Sequence, residues 1–128
     1  MKVIDSSALI KYLTKEDNWE ETKSYIRGAK TIALALTETG NALWKKVKKG
    51  ELSLNDAREI LINSKLITNI VDHSGYLEKS LEIAVENNIA FYDSIFITMA
   101  KEEKSDLITC DKVQAEAARK LGIVVIEI

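Results

Sequence analysis

The sequence predicts an α/β fold: a parallel sheet covered by helices on both faces. Short apolar runs alternate along the chain with longer stretches whose apolar residues recur at helical spacing. Gly28, Gly50 and Gly122 each follow a helical stretch, where a residue tolerant of the left-handed conformation is wanted. A third observation concerns acids. Asp5, Glu38, Asp93 and Asp111 are far apart in sequence, yet each stands where a strand hands over to a helix or a helix begins. In a parallel sheet those junctions share one edge, the edge at which such folds bind ligands.

Taken in order, Lys2–Ile4 is a short apolar strand, followed by helical segments at about Ser7–Thr14 and Asn18–Arg27. Thr31–Ala35 reads as the second strand and Thr37–Lys49 as a helix, with Leu36, Leu43 and Val47 at apolar spacing. Ser53 caps a helix in SLNDAREILINSK, and Ile67–Val71 is the third strand. Ser74–Asn88 is helical with Leu77, Leu81, Ala84 and Val85 along one face, and Tyr92–Glu103 is helical again. Asp106–Thr109 is the fourth strand, Lys112–Leu121 a helix and Ile123–Ile126 the last strand. The alternation calls for right-handed crossovers between parallel strands.

The 128 residues suffice for one domain, residues 1–128, and no linker, repeat or low-complexity tract divides them. Apolar residues make up 46% and charged residues 30%, as in a soluble globular protein. A net charge of −2 and a pI near 5.5 exclude a basic field over the whole surface, so a polyanion must be held by local basic patches or through metal. Met1 leads straight into the first strand and no apolar run reaches about 18 residues, so a cytoplasmic protein without membrane contact is expected. Cys110 is the only cysteine, which excludes an internal disulfide and a CxxC metal site. His73 is the only histidine and reads as a surface residue. Neither a Ser-His-Asp set nor a Gly-rich phosphate loop is present.

Each of the four acids also has a structural use. Asp5 can cap the first helix, although Ser6 or Ser7 could do so and leave it free. Glu38 reads as a first-turn residue behind a better cap, Thr37, where its charge complements the helix dipole; Asn41 shares its face. Asp93 can cap a helix whose stripe through Phe96, Ile97 and Ala100 is core. Asp111, with Gln114 three residues on, nearly forms a capping box. The conjunction is what matters. Carboxylates a few Å apart repel by roughly 3–4 kcal/mol per close pair at an effective dielectric near 20. A divalent cation removes that cost. Asp72 is a control: it too follows a strand, but on an edge strand it lies roughly 10 Å from strand one.

At these residues the chain resembles the PIN-domain ribonucleases, in particular the VapC-type toxins of prokaryotic toxin–antitoxin pairs. VIDSSALI resembles the family's opening motif and gives Asp5 and Ser7; TETGNALWK resembles the second and gives Glu38 and Asn41. FYDSIFITMA resembles the third, with Tyr92 and Asp93, and LITCDKVQAEAARKLGIVVI the last, with Thr109 and Asp111. Ser94 departs from the usual alanine, and Gly40 interrupts a helix, where it could permit close packing against strand one. The resemblance implies a single PIN-like domain with a five-stranded parallel sheet ordered 3-2-1-4-5.

That resemblance implies metal-dependent hydrolysis of RNA phosphodiesters by an endoribonuclease, the toxin of a type II toxin–antitoxin system. Asp5, Glu38, Asp93 and Asp111 are then the catalytic acids and ligands of Mg²⁺ or Mn²⁺, with Ser7, Asn41 and Thr109 as hydrogen-bonders around them. An antitoxin partner and a homodimer are also implied, with apolar segments at Trp19–Ile26 and Leu52–Leu66 available to either. Lys45, Lys46, Lys48 and Lys49 could grip RNA or simply decorate a helix C-terminus, while Lys11, Lys15 and Lys112 lie nearer the acidic edge. A haloacid-dehalogenase-like phosphatase needs an Asp where Ser7 stands, and a receiver domain needs an acidic pair where Ile4-Asp5 offers one acid. The remaining alternative is a PIN-like binding or scaffold module that keeps the acids without activity.

Overall fold

The computed structural model describes residues 1–128. The elements are β1 (Lys2–Ile4), α1 (Ser6–Leu13), a 3-10 turn at Trp19–Thr22, α2 (Lys23–Ile26), β2 (Lys30–Thr31), α3 (Ala33–Lys48), α4 (Leu54–Ile67) and β3 (Asn69–Ile70). A 3-10 turn at Ser74–Tyr76 leads into α5 (Leu77–Asn87), α6 (Phe91–Glu102), β4 (Asp106–Thr109), α7 (Lys112–Lys120) and β5 (Val125–Glu127). The strands form one parallel sheet in the order β3-β2-β1-β4-β5, as expected.

The sheet centre is the core. Val3, Ile4, Leu107 and Ile108 of β1 and β4 have no solvent exposure, because a central parallel strand is covered on both faces. Helices α1 and α6 seal them with Ala8, Leu9, Phe96, Ile97 and Met99. Each large aliphatic side chain buried this way contributes about 1.5–3 kcal/mol. The register Ile4↔Ile108 brings the next residues, Asp5 and Thr109, side by side at the strand ends, and Asp5 N–H extends the ladder by donating to Ile108 C=O at 3.1 Å.

Several local expectations change. The second strand is two residues rather than Thr31–Ala35, and α3 begins at Ala33. Ala33–Leu36 are strong helix formers, so the chain leaves the sheet as soon as its pairing with β1 ends. Glu38 therefore stands in the second turn of α3, and Thr37 is no cap: its hydroxyl donates back to Ala33 C=O at 3.2 Å. The segment at Asn18–Arg27 breaks into a 3-10 turn and one short helix. On α5 the buried face is Ser80, Ile83 and Ala84, while Leu77, Leu81 and Val85 are exposed. Ser80 explains the rotation, because its hydroxyl lies 2.7 Å from the Tyr76 C=O and 3.0 Å from Thr98 Oγ1 of α6, with one proton to give to either, so this pair meets through small polar residues. A Cβ added at Gly40 would meet nothing within 4 Å, so close packing against β1 is not its purpose. His73 is partly exposed, in the loop before the Ser74–Tyr76 turn. Gly28, Gly50 and Gly122 hold the expected positive φ, at +76°, +78° and +80°.

Candidate active site

Asp5 is the most enclosed of the acids, at 2% exposure. It is the N-cap of α1: Oδ1 accepts from Ala8 N–H at 3.0 Å, so neither Ser6 nor Ser7 takes that role. Ser7 Oγ–H also donates to Oδ1, at 2.7 Å, and Thr109 Oγ1–H donates to Oδ2. Both hydroxyl protons are thereby spent on Asp5, so the 3.4 Å approach of Ser7 Oγ to Thr109 Oγ1 is a contact without a proton to share. The two oxygens are held from the other side by backbone: Cys110 N–H donates to Ser7 Oγ and Asp111 N–H to Thr109 Oγ1. Burial pushes the Asp5 carboxyl up to about 6, against the pull of the hydrogen bonds from Thr109, Ala8 and Ser7, and the charge of Asp93 adds to the rise.

Asp111 follows β4 and is the N-cap of α7, its Oδ1 accepting from Val113 N–H at 2.9 Å and Gln114 N–H at 3.2 Å. The near capping box does not close, because Thr109 already occupies the Asp111 N–H. Asp93 is not a cap. Ala90 holds that position on α6, and Asp93 lies in the first turn with both carboxyl oxygens free of protein donors. Its carboxyl is raised first by burial, then by the charges of Asp111 and Glu38. Glu38 reaches the group from α3, exposed, with Oε1 accepting from Ser6 Oγ at 3.1 Å. Asn41 is exposed on the same helix and hydrogen-bonds none of the acids.

The structure thus brings Asp5, Glu38, Asp93 and Asp111 to the C-terminal edge of the sheet, with Ser7 and Thr109 bonded to Asp5. Asp72 stays apart, turned into its own loop by Ser74. None of the four acids has a cationic partner: the ion pairs are Lys30–Glu103, Lys46–Glu51, Lys79–Glu82 and Arg119–Glu127. Hard oxygen donors without counter-charge suit Mg²⁺ or Mn²⁺. No three His, Cys, Asp or Glu side chains are gathered tightly enough to hold an ion by themselves. A divalent ion held at this edge would take one or two of these carboxylates and keep much of its water.

Two residues of this edge escaped the sequence reading. Ser6 is buried and is the hydrogen-bond donor to Glu38; Gln114 is buried at 2% exposure and its Nε2–H donates to the Asp93 C=O at 3.2 Å. Ser6 was visible only as a spare cap. Gln114 stood in the capping-box position, which suggested a bond to its own helix.

An α/β domain whose parallel sheet ends in an uncompensated acid cluster is the class of protein defined by this fold and edge. The sequence model of the PIN domain matches residues 2–120, and the chain belongs to that family. Two relatives from Pyrobaculum aerophilum are similar along most of their length. One is ribonuclease VapC3, 25% identical over 120 residues, 89% of this chain and 92% of the relative. The other is exonuclease VapC9, 28% identical over 111 residues, 86% of this chain and 80% of the relative. Among solved structures, PAE2754 from Pyrobaculum aerophilum superposes with a TM-score of 0.76 at 24% identity, covering 97% of this chain and 87% of that one. A toxin–antitoxin complex from Klebsiella pneumoniae gives 0.63 at 17% identity, covering 87% of each chain. These two likenesses are of fold.

Proposed function

We propose that the chain, as one PIN domain over residues 1–128, is a metal-dependent endoribonuclease and the toxin of a toxin–antitoxin pair, with Asp5, Glu38, Asp93 and Asp111 as its catalytic acids. The observation that carries this reading is four carboxylates on one sheet edge, with Asp93 in the field of the other three and none of them paired with a cation. The naming of both curated relatives as nucleases supports it. When bound, Mg²⁺ or Mn²⁺ supplies polarisation of water and neutralisation of charge on the phosphate.

The chain's own residues divide the remaining work. Asp5 is rigid, because α1, Ser7 and Thr109 fix both its oxygens. Asp93 offers both oxygens, and Asp111 offers the Oδ2 that capping leaves over. Glu38, on the exposed side and steadied by Ser6, would accept a proton from an attacking water or join the ion's shell. Lys112, exposed beside Asp111, is a nearby phosphate contact. The C-terminal lysines of α3 serve this less well, since Lys46 pairs with Glu51 and Lys48 lies over Trp44.

An antitoxin that blocks the edge, a homodimer and a cytoplasmic setting complete the reading. No helix is long and apolar enough to cross a membrane. The Klebsiella fold neighbour is itself a toxin–antitoxin complex, which supports the partner. The exposed Leu77, Leu81 and Val85 of α5, and Trp44, Leu54 and Leu66 of α3 and α4, are surface for either protein contact. The deciding experiment offers linear and circular single-stranded RNA to the purified chain with Mg²⁺, Mn²⁺ or chelator. Cutting of the circle with metal is expected. Cutting of linear RNA alone makes the enzyme an exonuclease, as one relative is named. Absence of any cutting leaves the inactive binding module.

A further inference from the structure

We propose that Gln114 is a positioning residue that sets the separation of Asp93 from Asp111. It is the chain's only glutamine, and its side chain is almost wholly enclosed between α6 and α7. It bonds both acids: its backbone N–H donates to Asp111 Oδ1 at 3.2 Å, and its side-chain Nε2–H donates to the Asp93 C=O, also at 3.2 Å. The first of these is ordinary capping. The second is not needed by either helix, because the Asp93 carbonyl lies inside α6 and already accepts from the amide four residues on, as helix geometry dictates.

A buried amide is an expensive way to fill space, and Ala115, Ala117 and Ala118 show that the rest of this face packs with alanine. What the amide adds is register. With Thr109 joining Asp5 to Asp111, it completes a bonded path from Asp5 through Thr109, Asp111 and Gln114 to Asp93. That path spans β1, β4, α7 and α6, and leaves the Asp93 carboxylate itself unbonded while fixing its backbone. An ion shared by both carboxylates would be sensitive to this spacing, because Mg²⁺ demands near-octahedral geometry. The consequence for metal rests on the nuclease reading above; the contact does not.

The test replaces the amide by apolar side chains of similar length, Gln114→Met and Gln114→Leu, in the full chain. Mn²⁺ binding is followed by the loss of free-ion paramagnetic resonance signal, with melting temperature measured in chelator. The expected result is a Mn²⁺ midpoint raised about tenfold, as for other groups that orient metal ligands, with the metal-free melting temperature unchanged or higher. Cleavage should recover at saturating Mn²⁺. A lowered melting temperature with an unchanged midpoint makes Gln114 merely structural and overturns the proposal. A second readout needs neither metal nor RNA. In the metal-free wild type the Gln114 side-chain amide protons should exchange with solvent far more slowly than those of exposed Asn41. Equal exchange overturns the contact itself. A wild type that binds no Mn²⁺ and cuts no RNA sinks the nuclease reading, and amide exchange still decides the bond.

Discussion

Thr109 Oγ1 donates to Asp5 Oδ2 across the β4–β1 pair and accepts the Asp111 N–H at 3.0 Å, so one hydroxyl joins the ends of two central strands. Thr109→Val keeps the shape and removes both bonds. The buried Asp5 oxygen loses its donor and the Asp111 amide its acceptor, which should cost about 1–3 kcal/mol. The Asp5 carboxyl should rise further, because the Thr109 bond is the largest influence holding it down. Chemical denaturation and a pH–rate profile read the two effects. A stable variant with an unshifted profile would show that the hydroxyl is idle.

The enclosed Asp5 carboxyl also ties stability to pH. Its pKa rises from 3.8 to about 6 on folding, so between those values the folded chain binds the proton that the unfolded chain releases. The contribution of this group is therefore fully present below about pH 4 and is lost as pH rises through 6. The span corresponds to on the order of 2–3 kcal/mol. Asp5→Asn keeps an acceptor for the Ala8 N–H and has no charge to desolvate. Its metal-free stability relative to wild type should therefore climb between pH 4 and 6, measured by denaturant midpoints at matched ionic strength. A constant difference across that range would refute the burial effect.

The sequence disclosed the sheet and the acids for a physical reason. The middles of β1 and β4, Val3–Ile4 and Leu107–Ile108, are buried on both faces and must be apolar, so the strands at Lys2–Ile4 and Asp106–Thr109 are legible to the residue. At β2 the pairing partner, not the local propensity, sets the length, and Thr31–Ala35 looked like more strand than β1 supports. The face of α5 is hidden from local pattern because its packing surface is made of Ser80, Ile83 and Ala84, while Leu77, Leu81 and Val85 point outward. In the sequence alone, capping and site chemistry read as competing roles for Asp5 and Asp111. The structure gives both residues a capping role and the shared edge at once, since a carboxylate has more acceptor sites than a cap uses. Ser6 and Gln114 act across elements, and nothing in their local pattern reveals a partner more than twenty residues away.

Ser6→Ala isolates Glu38. The bond from Ser6 Oγ at 3.1 Å is the only hydrogen bond that Glu38's side chain makes, and Glu38 is exposed. Fold stability should change by less than about 1 kcal/mol, since an exposed carboxylate regains water when the donor is removed. Cleavage should nevertheless fall several-fold through kcat, with KM for RNA little altered, because Glu38 loses its orientation rather than its charge. An unchanged kcat would argue that Glu38 needs no steadying.

Asp93→Asn is the cleanest probe of the metal, because Asp93 alone among the acids neither caps a helix nor accepts a side-chain bond. In wild type its carboxylate is half-enclosed and is pressed by Asp111 and Glu38, so its charge is a burden on the metal-free fold. Removing that charge should leave the metal-free melting temperature equal or higher. Mg²⁺ or Mn²⁺ should stabilise wild type by mass action, about 2.7 kcal/mol at a hundredfold excess over Kd. Asp93→Asn should lose most of that response together with RNA cleavage, since a negative oxygen is gone from the ion's surroundings. The signs of the two effects are opposite, which separates a site acid from a structural one. A structural role predicts a lower melting temperature without metal and an intact response with it. If the wild-type melt is identical in metal and in chelator, no tight site exists on this edge, whatever the mutant does.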